Sequence, residues 1–365
     1  MRIGVNALYL IPGAVGGTEI YLRNLLHALG EIDAVNQYLL FTNRETGQAL
    51  GPGRANFHVV EQPVRAAFRP ARMAWEQTAL PFSVAAHGID VLLNPGFTGP
   101  IVCGCPQVTV FHDLQHKRHP EHFRWFDLPF WRFFLFWSAH LSRIVIADSV
   151  ATGADLERFY RLPAQTIRVV PLGVDPKFFA IAAVRRPEPM LLAVSTLHPH
   201  KNLDRLLGAF AKFHRKRPDF RLVITGLRGF HSANLERRRD ELDLAASVEF
   251  TGWIPREELY TLYARAWAFL YPSTFEGFGL PVLEALAAGV PTACSRIEPL
   301  ASIAGSAALH FGPDNDAEIL DAMDQLVSDE GLRERLAVAG PKRAAQFSWL
   351  TTARQTLAAL REAAR

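Results

Sequence analysis

Residues Ser273–Pro291 read STFEGFGLPVLEALAAGVP. Two glutamates, Glu276 and Glu284, stand either side of a Gly-Phe-Gly turn, and Pro281 follows at the start of a run of good helix formers. Proline suits the first helical turn because its missing N–H would find no helical partner there, so the spacing predicts a helix from about Leu280. The backbone N–H groups of Gly277, Phe278, Gly279 and Leu280 then lie at the positive end of a helix dipole, an anion-receptive nest. The two glycines allow dihedrals and a close approach that a side chain would deny. Glu284 falls about one turn inside the helix by its 3.6-residue period. A ligand with hydroxyls at both ends and phosphate between them satisfies this order of acid, amides and acid. Carboxylates accept hydrogen bonds from hydroxyls, while amides and a cation neutralise phosphate. A sugar nucleotide has that layout. Taken singly, Glu276 reads as a turn cap and Glu284 as a solvated helix position; the combination favours a ligand.

Outward from this stretch, short β-rich runs alternate with helical patterns. MRIGVNAL, QYLLFT, FHVVEQ, VLLNPG, PQVTVFHD, RIVIADS and TIRVVPLG read as strands, with a first helix over GGTEIYLRNLLHALG capped by Thr18 and stopped by Gly30. A charged, proline-rich break, AVRRPEPM (183–190), reads as a linker. The alternation then restarts through LLAVSTL, FRLVITG, SVEFTGW and AFLYPS. The fold class this predicts is α/β, two doubly wound units in sequence, each a parallel sheet covered on both faces. The boundaries drawn are 1–183 and 184–347, with a final helix 348–365 crossing back to the first unit. Ligands of such sheets bind at the carboxyl ends of the strands, so the expected site is the cleft between the units. Gly16, Gly17, His112, Asp113, Lys201, Arg228 and Gly277–Gly279 all follow strands.

Composition narrows the function. The 365 residues are 49% hydrophobic and 21% charged, an ordinary globular balance with room for two domains. A net charge of +3 is too mild for a nucleic-acid surface. Three cysteines, Cys103, Cys105 and Cys294, make neither a disulfide framework nor a zinc site and suit a reducing compartment. The start, MRIGVNALYLIPG, reads as a buried strand and loop rather than a signal peptide. No apolar run is long enough to span a bilayer. The absence of G-x-G-x-x-G weighs against a dinucleotide-binding first unit. HDLQHKRH is rich in histidine but offers no closed ligand set by spacing.

YPSTFEGFGLPVLEALAAGVP resembles the signature of the GT4 family of retaining glycosyltransferases, which have the GT-B fold of two Rossmann-like domains facing a central cleft. The similarity extends to the Gly16-Gly17 loop, FHDL, VVPLGVD, VSTLHPHKN, FTGWIP and the FSW near the C-terminus. HDL and LHPHKN most resemble bacterial mannosyltransferases of surface polysaccharide synthesis. The resemblance implies a catalytic set of His112, Lys201 and Glu276: His112 beside the donor sugar, Lys201 on the diphosphate and Glu276 by the transferred hexose. It implies amides around Phe278 and Gly279 at the sugar, Glu284 on the ribose, and Gly16 and Gly17 near diphosphate and acceptor. Trp253 and Ile254 would lie beside the base, with Trp253 partly in the core. The family often carries an Arg a few residues before this Lys; here Thr196 and Leu197 stand there, so Arg228 is the candidate to complete the cationic clamp. Ser302 stands where a Glu is common. The implied donor is a nucleotide sugar, GDP-mannose by subgroup, and the acceptor a saccharide or polyprenyl-linked saccharide. No metal or other cofactor and no nucleic acid is implied, and the setting is the cytoplasm or the inner face of its membrane. A sugar-nucleotide epimerase, a phosphorylase or a non-catalytic binding scaffold are the alternatives on this fold.

One segment stands apart. HFRWFDLPFWRFFLFWSAHLSR crowds Phe123, Trp125, Phe126, Phe130, Trp131, Phe133, Phe134, Phe136 and Trp137 between polar interruptions. Two readings stay open: a helix packed into the first unit, or an interfacial surface that meets a lipid-linked substrate.

Overall fold

The computed structural model describes residues 1–13, 16–123 and 125–365. It divides into two compact units, Met1–Gly173 with Ser348–Arg365, and Val174–Phe347.

The first unit is built on seven strands: β1 (Arg2–Asn6), β2 (Gln37–Thr42), β3 (Phe57–Glu61), β4 (Val91–Asn94), β5 (Gln107–Phe111), β6 (Ile144–Ala147) and β7 (Ile167–Val169). They run in the order β3-β2-β1-β4-β5-β6-β7, every neighbouring pair parallel. Both faces are covered, so β4, β5 and β6 are buried along their whole length, as continuous apolar runs of a parallel sheet should be. The first helix differs from its expected ends. It runs Gly17–Ile32 with Gly16 at its N-cap, so Thr18 lies inside it and Gly30 does not stop it. Gly16 holds φ 61° and ψ −128°, a conformation open to glycine alone. The last helix, Trp349–Ala363, begins at Ser348, whose side chain accepts from Leu350 N–H. It lies on the first helix, with Trp349 against Tyr21 at 6.2 Å between ring centroids.

The second unit has six strands: β8 (Met190–Val194), β9 (Arg221–Thr225), β10 (Val248–Gly252), β11 (Ala268–Tyr271), β12 (Thr292–Ser295) and β13 (Leu309–Phe311). The order β10-β9-β8-β11-β12-β13 is again parallel throughout. In each sheet the order reverses beside the first strand: between β1 and β4, and between β8 and β11. These are the switch points where loops part and leave room for a ligand.

The division falls at Gly173/Val174, earlier than the boundary at 183/184, and the stretch read as a linker belongs to the second unit. Arg185 donates to the carbonyls of Gly289 at 2.5 Å and Ala266 at 2.6 Å, and Glu188 pairs with Arg265 at 2.7 Å. Charge that looked solvent-bound is spent on helix-end carbonyls and an ion pair.

Candidate functional site

In the second unit the switch point brings Lys201 to Glu276. The loop after β8 and the loop after β11 are stitched together by Thr274, whose N–H and Oγ1 both donate to the His200 carbonyl at 2.8 and 3.1 Å. Asn202 adds a second stitch. It occupies the N-cap of the helix Leu203–Lys216 but does not cap it; its amide donates to the carbonyls of Pro272 at 3.0 Å and Pro313 at 2.7 Å. With the backbones held so, Lys201 Nζ lies 2.6 Å from Glu276 Oε1 and 3.2 Å from Tyr271 Oη. Both charged side chains are mostly shielded from solvent, Lys201 at 13% exposure and Glu276 at 10%. The cation and the acid read as separate ligand groups therefore neutralise one another.

The turn that follows has the helix where the spacing placed it, Leu280–Ala287, with Gly279 at its N-cap. Gly279 takes φ 106°, and a Cβ there would run into the Leu300 side chain, so both backbone and space demand glycine. Phe278 is buried against Phe347 at 6.0 Å between centroids, which anchors the turn at the helix start. Glu284 is not a solvated helix position. It is 4% exposed; its Oε1 lies 3.0 Å from Arg256 Nη1, and its Oε2 accepts from Tyr263 Oη at 3.3 Å. Burial pushes its pKa up, and the Arg256 guanidinium and the Tyr263 hydroxyl only partly pull it back.

Other predicted residues lie farther out on the same sheet. Thr196 and Leu197 follow β8, where Leu197 N–H donates to the Leu227 carbonyl at 3.0 Å and ties that loop to the one after β9. Arg228 is exposed and paired with Glu236. Ile254 is half-buried, but Trp253 is 59% exposed rather than part of the core. The reason is local: β10 is an edge strand whose register shifts at Phe250/Gly252, and Gly252 at φ 73° turns the chain off the sheet before Trp253.

In the first unit, His112 follows β5 and meets Asp148, which the sequence reading missed. Nδ1 is 2.6 Å from Asp148 Oδ2, and Nε2 is 2.9 Å from the Pro95 carbonyl. Both ring nitrogens face acceptors, an arrangement that favours the protonated ring, which has two N–H groups to give where the neutral ring has one. Burial pushes its pKa down, but the Asp148 carboxylate outweighs it and the net direction is up. The edges of Tyr21 and Phe97 close on the ring at 4.8 and 5.0 Å. A register argument could have found the partner: Phe111 pairs with Ala147 across β5 and β6, which sets the next residues, His112 and Asp148, side by side. Asp113 fixes its own loop by accepting from Gln115 N–H at 2.8 Å. Gly16 and Gly17 start the first helix, the latter exposed.

The structure also gathers His119, Glu121 and His122, whose ligating atoms lie within 4.8 Å of one another. Only His119 of this group belongs to the run HDLQHKRH; Glu121 and His122 lie just beyond it. The aromatic segment is neither wholly core nor wholly surface. Its helix, Leu128–Leu141, buries Leu135, Ser138 and Ala139 and exposes Phe130, Phe133, Phe136 and Trp137; Arg124 lies outside the described residues. Among the described residues, no helix is long and apolar enough to cross a membrane.

Residues 15–178 match the family described as Glycosyltransferase Family 4, and residues 174–343 match Glycosyl transferases group 1. The chain is 28% identical to the O-antigen chain mannosyltransferase B of Escherichia coli over 97% of its own length and 94% of that protein. It is 26% identical to a D-inositol 3-phosphate glycosyltransferase of Corynebacterium urealyticum, over 97% of the chain and 94% of the relative. Among solved structures, sucrose-phosphate synthase from Thermosynechococcus elongatus superposes with a TM-score of 0.80 at 20% identity, over 99% of this chain and 98% of that one. The Anabaena HepE protein in complex with UDP-glucose gives 0.77 at 19% identity, over 99% and 100%. At such identity these two show the fold alone.

Proposed function

The chain belongs to the glycosyltransferases, its first half matching Family 4 and its second half group 1, and from that premise we propose that it moves mannose from GDP-mannose, with retention at the anomeric carbon, to a saccharide or polyprenyl-linked saccharide acceptor in surface polysaccharide synthesis. The mannosyl choice draws on the likeness to the O-antigen chain mannosyltransferase of Escherichia coli. The observation that carries the donor site is the Lys201–Glu276 pair at the switch point of the second sheet, with the Gly279-capped helix end and Glu284 following in the same loop and helix.

The chemistry follows from those groups. Departure of the nucleoside diphosphate builds negative charge on phosphate oxygens. Lys201 and the amides at the Phe278–Leu280 helix end offer preorganised positive potential for it, the term that contributes most to many enzymes. We assign the neutralising charge to these groups and to no resident metal or other cofactor. When phosphate draws Lys201 away, Glu276 is released to accept hydroxyls of the transferred hexose and to favour its oxocarbenium character. Glu284 accepts from the ribose diol, with Ile254 and Trp253 beside the base and Thr196 and Arg228 beside the phosphates. Attack on the face that the diphosphate leaves, with a phosphate oxygen taking the acceptor's proton, retains configuration. His112, held by Asp148, and the Gly16-Gly17 helix start are the groups that we assign from the first unit.

We place the reaction at the inner face of the cytoplasmic membrane. The exposed rings of the helix Leu128–Leu141 support this, with the neighbouring cations Lys117 and Arg132. The deciding experiment incubates purified protein with GDP-mannose, UDP-glucose or ADP-glucose and a panel of oligosaccharide acceptors. Release of GDP together with an acceptor lengthened by one α-linked mannose supports the proposal. Turnover confined to another donor, or an epimerised free donor with no lengthened acceptor, overturns it.

A further inference from the structure

Arg256 opens the helix Arg256–Arg265 and has the look of a solvated first-turn residue, yet it is bound on several sides. Its Nη1 is 3.0 Å from Glu284 Oε1 and its Nη2 3.7 Å from Asp175 Oδ2. Its Nε donates to Tyr260 Oη at 3.3 Å, and Tyr260 in turn donates to Asp175 Oδ2 at 2.5 Å. The guanidinium lies over two rings, 4.9 Å from the centroid of Phe178 and 5.5 Å from that of Tyr260. A planar cation stacked and hydrogen-bonded in this way has little freedom left.

What the guanidinium holds is the carboxylate assigned above to the ribose. Glu284 is buried, and a buried carboxyl drifts toward its neutral form unless a charge opposes it. A neutral carboxyl would turn one of its two oxygens into a donor and could no longer accept from two hydroxyls at once. Arg256 supplies the opposing charge on Oε1, and the fully buried Tyr263 hydroxyl shares its donation between Oε2 at 3.3 Å and the Pro281 carbonyl at 3.2 Å. Each oxygen keeps a second lone-pair direction for a ligand hydroxyl.

We propose that Arg256 is a positioning residue of the donor site, holding the Glu284 carboxylate in the one orientation in which its two oxygens meet the vicinal diol of the donor's ribose. This rests on the ribose assignment of Glu284 and goes beyond it by naming the group that makes the assignment work. Lysine is a poor replacement, since a point charge on a flexible stem reproduces neither the stacking nor the forked donation.

The test measures binding of GDP, UDP and ADP, and of the 2′,3′-dideoxy form of whichever binds, to the full chain and its variants by calorimetry. In the wild type, loss of the diol weakens binding by roughly tenfold or more, because buried acceptors are left unpaired. In Arg256→Met the ribonucleotide weakens by about the same factor while the dideoxy form binds as in the wild type, so the preference for the diol disappears. Arg256→Lys recovers part of the preference, and Tyr263→Phe, which keeps the ring volume, loses part of it. In turnover, Arg256→Met raises KM for the donor with kcat changed by less than about twofold. If Arg256→Met and Arg256→Lys both keep the wild-type preference, or weaken both nucleotides equally, the positioning role is wrong while Glu284→Ala still tests the ribose assignment. If Glu284→Ala itself keeps the preference, the underlying assignment fails and the positioning role falls with it.

Discussion

Lys201 and Glu276 form an ion pair of 2.6 Å across the switch point of the second sheet, and each side chain is close to nine-tenths shielded. In the proposed reaction the same two groups separate, the lysine going to phosphate and the glutamate to sugar. Lys201→Ala leaves an unneutralised acid beside Tyr271, and Glu276→Ala leaves an unneutralised cation in the same place. Each single variant should melt lower than the double variant would suggest, with a coupling of about 1–3 kcal/mol between them in a thermal-unfolding cycle. Activity should behave differently: turnover of Lys201→Ala falls about 10²–10³-fold, the usual loss when a preorganised charge at the leaving group is removed, and the double variant does not recover it. Equal turnover for Lys201→Ala and the wild type would remove the lysine from the reaction.

The His112–Asp148 pair gives a signed pH prediction. Its folded pKa stands above the ordinary 6.5 because the Asp148 carboxylate, together with the Pro95 carbonyl and Asp113, outweighs burial. A raised histidine pKa contributes stability in full below 6.5 that is lost as pH rises through the raised value. Asp148→Asn removes the charge, so the His112 resonance should titrate at lower pH by NMR. The melting-temperature gap between wild type and variant should be widest in acid below 6.5 and narrow above it. A gap that widened with pH would mean that the ring is held neutral.

How much of this was legible can be judged residue by residue. The long parallel strands were, because burial on both faces writes them as apolar runs. β12 and β13 were missed although they are no shorter than β6 and β7: TACS and LHF lack the continuous apolar, β-branched run that marks IVIA. The helix start at Leu280 was legible because Pro281 fixes a helical φ while Gly279, two positions earlier, admits the positive φ of the N-cap. Arg256 was not, since a charged first-turn residue looks the same whether its partner is water or a buried acid 28 positions on. Trp253 was misplaced for a related reason: hydrophobicity marks it for the core, and only the edge position of β10 leaves it uncovered. Chain distance hides pairings; topology restores them.

The last helix is separated from the rest of its unit by the whole of the second one, yet it is structural. Leu360, Ala353, Ala363 and Thr356 are fully buried, Trp349 and Leu357 nearly so. Thr352 Oγ1 donates to the Pro171 carbonyl at 2.7 Å, and Gly173 leaves no room for a Cβ beside the backbone of Trp349. Trp349→Ala should cost about 3–5 kcal/mol in the first unit, as large-to-small core changes do. A chain ending before Ser348 should expose the first unit to limited proteolysis while residues 174–347 stay resistant. Equal resistance of both units after truncation would show that the helix is an appendage.

The exposed rings of the helix Leu128–Leu141, with Trp125 just before it, make the membrane placement testable without touching the chemistry. Phe133 is 51% exposed and Trp125 83%, so replacing either removes little folded-state contact and should shift stability by no more than about 0.5 kcal/mol. Each ring that inserts among lipid headgroups stabilises the bound state by roughly 1.5–3 kcal/mol on area grounds, about tenfold or more in affinity. Around them stand Arg132, Lys117 and Arg69, the last with its guanidinium 3.7 Å over Trp131. Binding should therefore favour anionic surfaces and weaken with salt. In vesicle sedimentation, the wild type should bind phosphatidylglycerol-containing vesicles more tightly than phosphatidylcholine alone. Phe133→Ser with Trp125→Ser should lose most of that binding while turnover on a soluble oligosaccharide acceptor stays unchanged. Two outcomes count against the placement: a wild type that leaves phosphatidylglycerol vesicles in the pellet without it, and a double variant whose soluble turnover falls in step with vesicle binding. The second outcome would return these rings to the packing of the first unit.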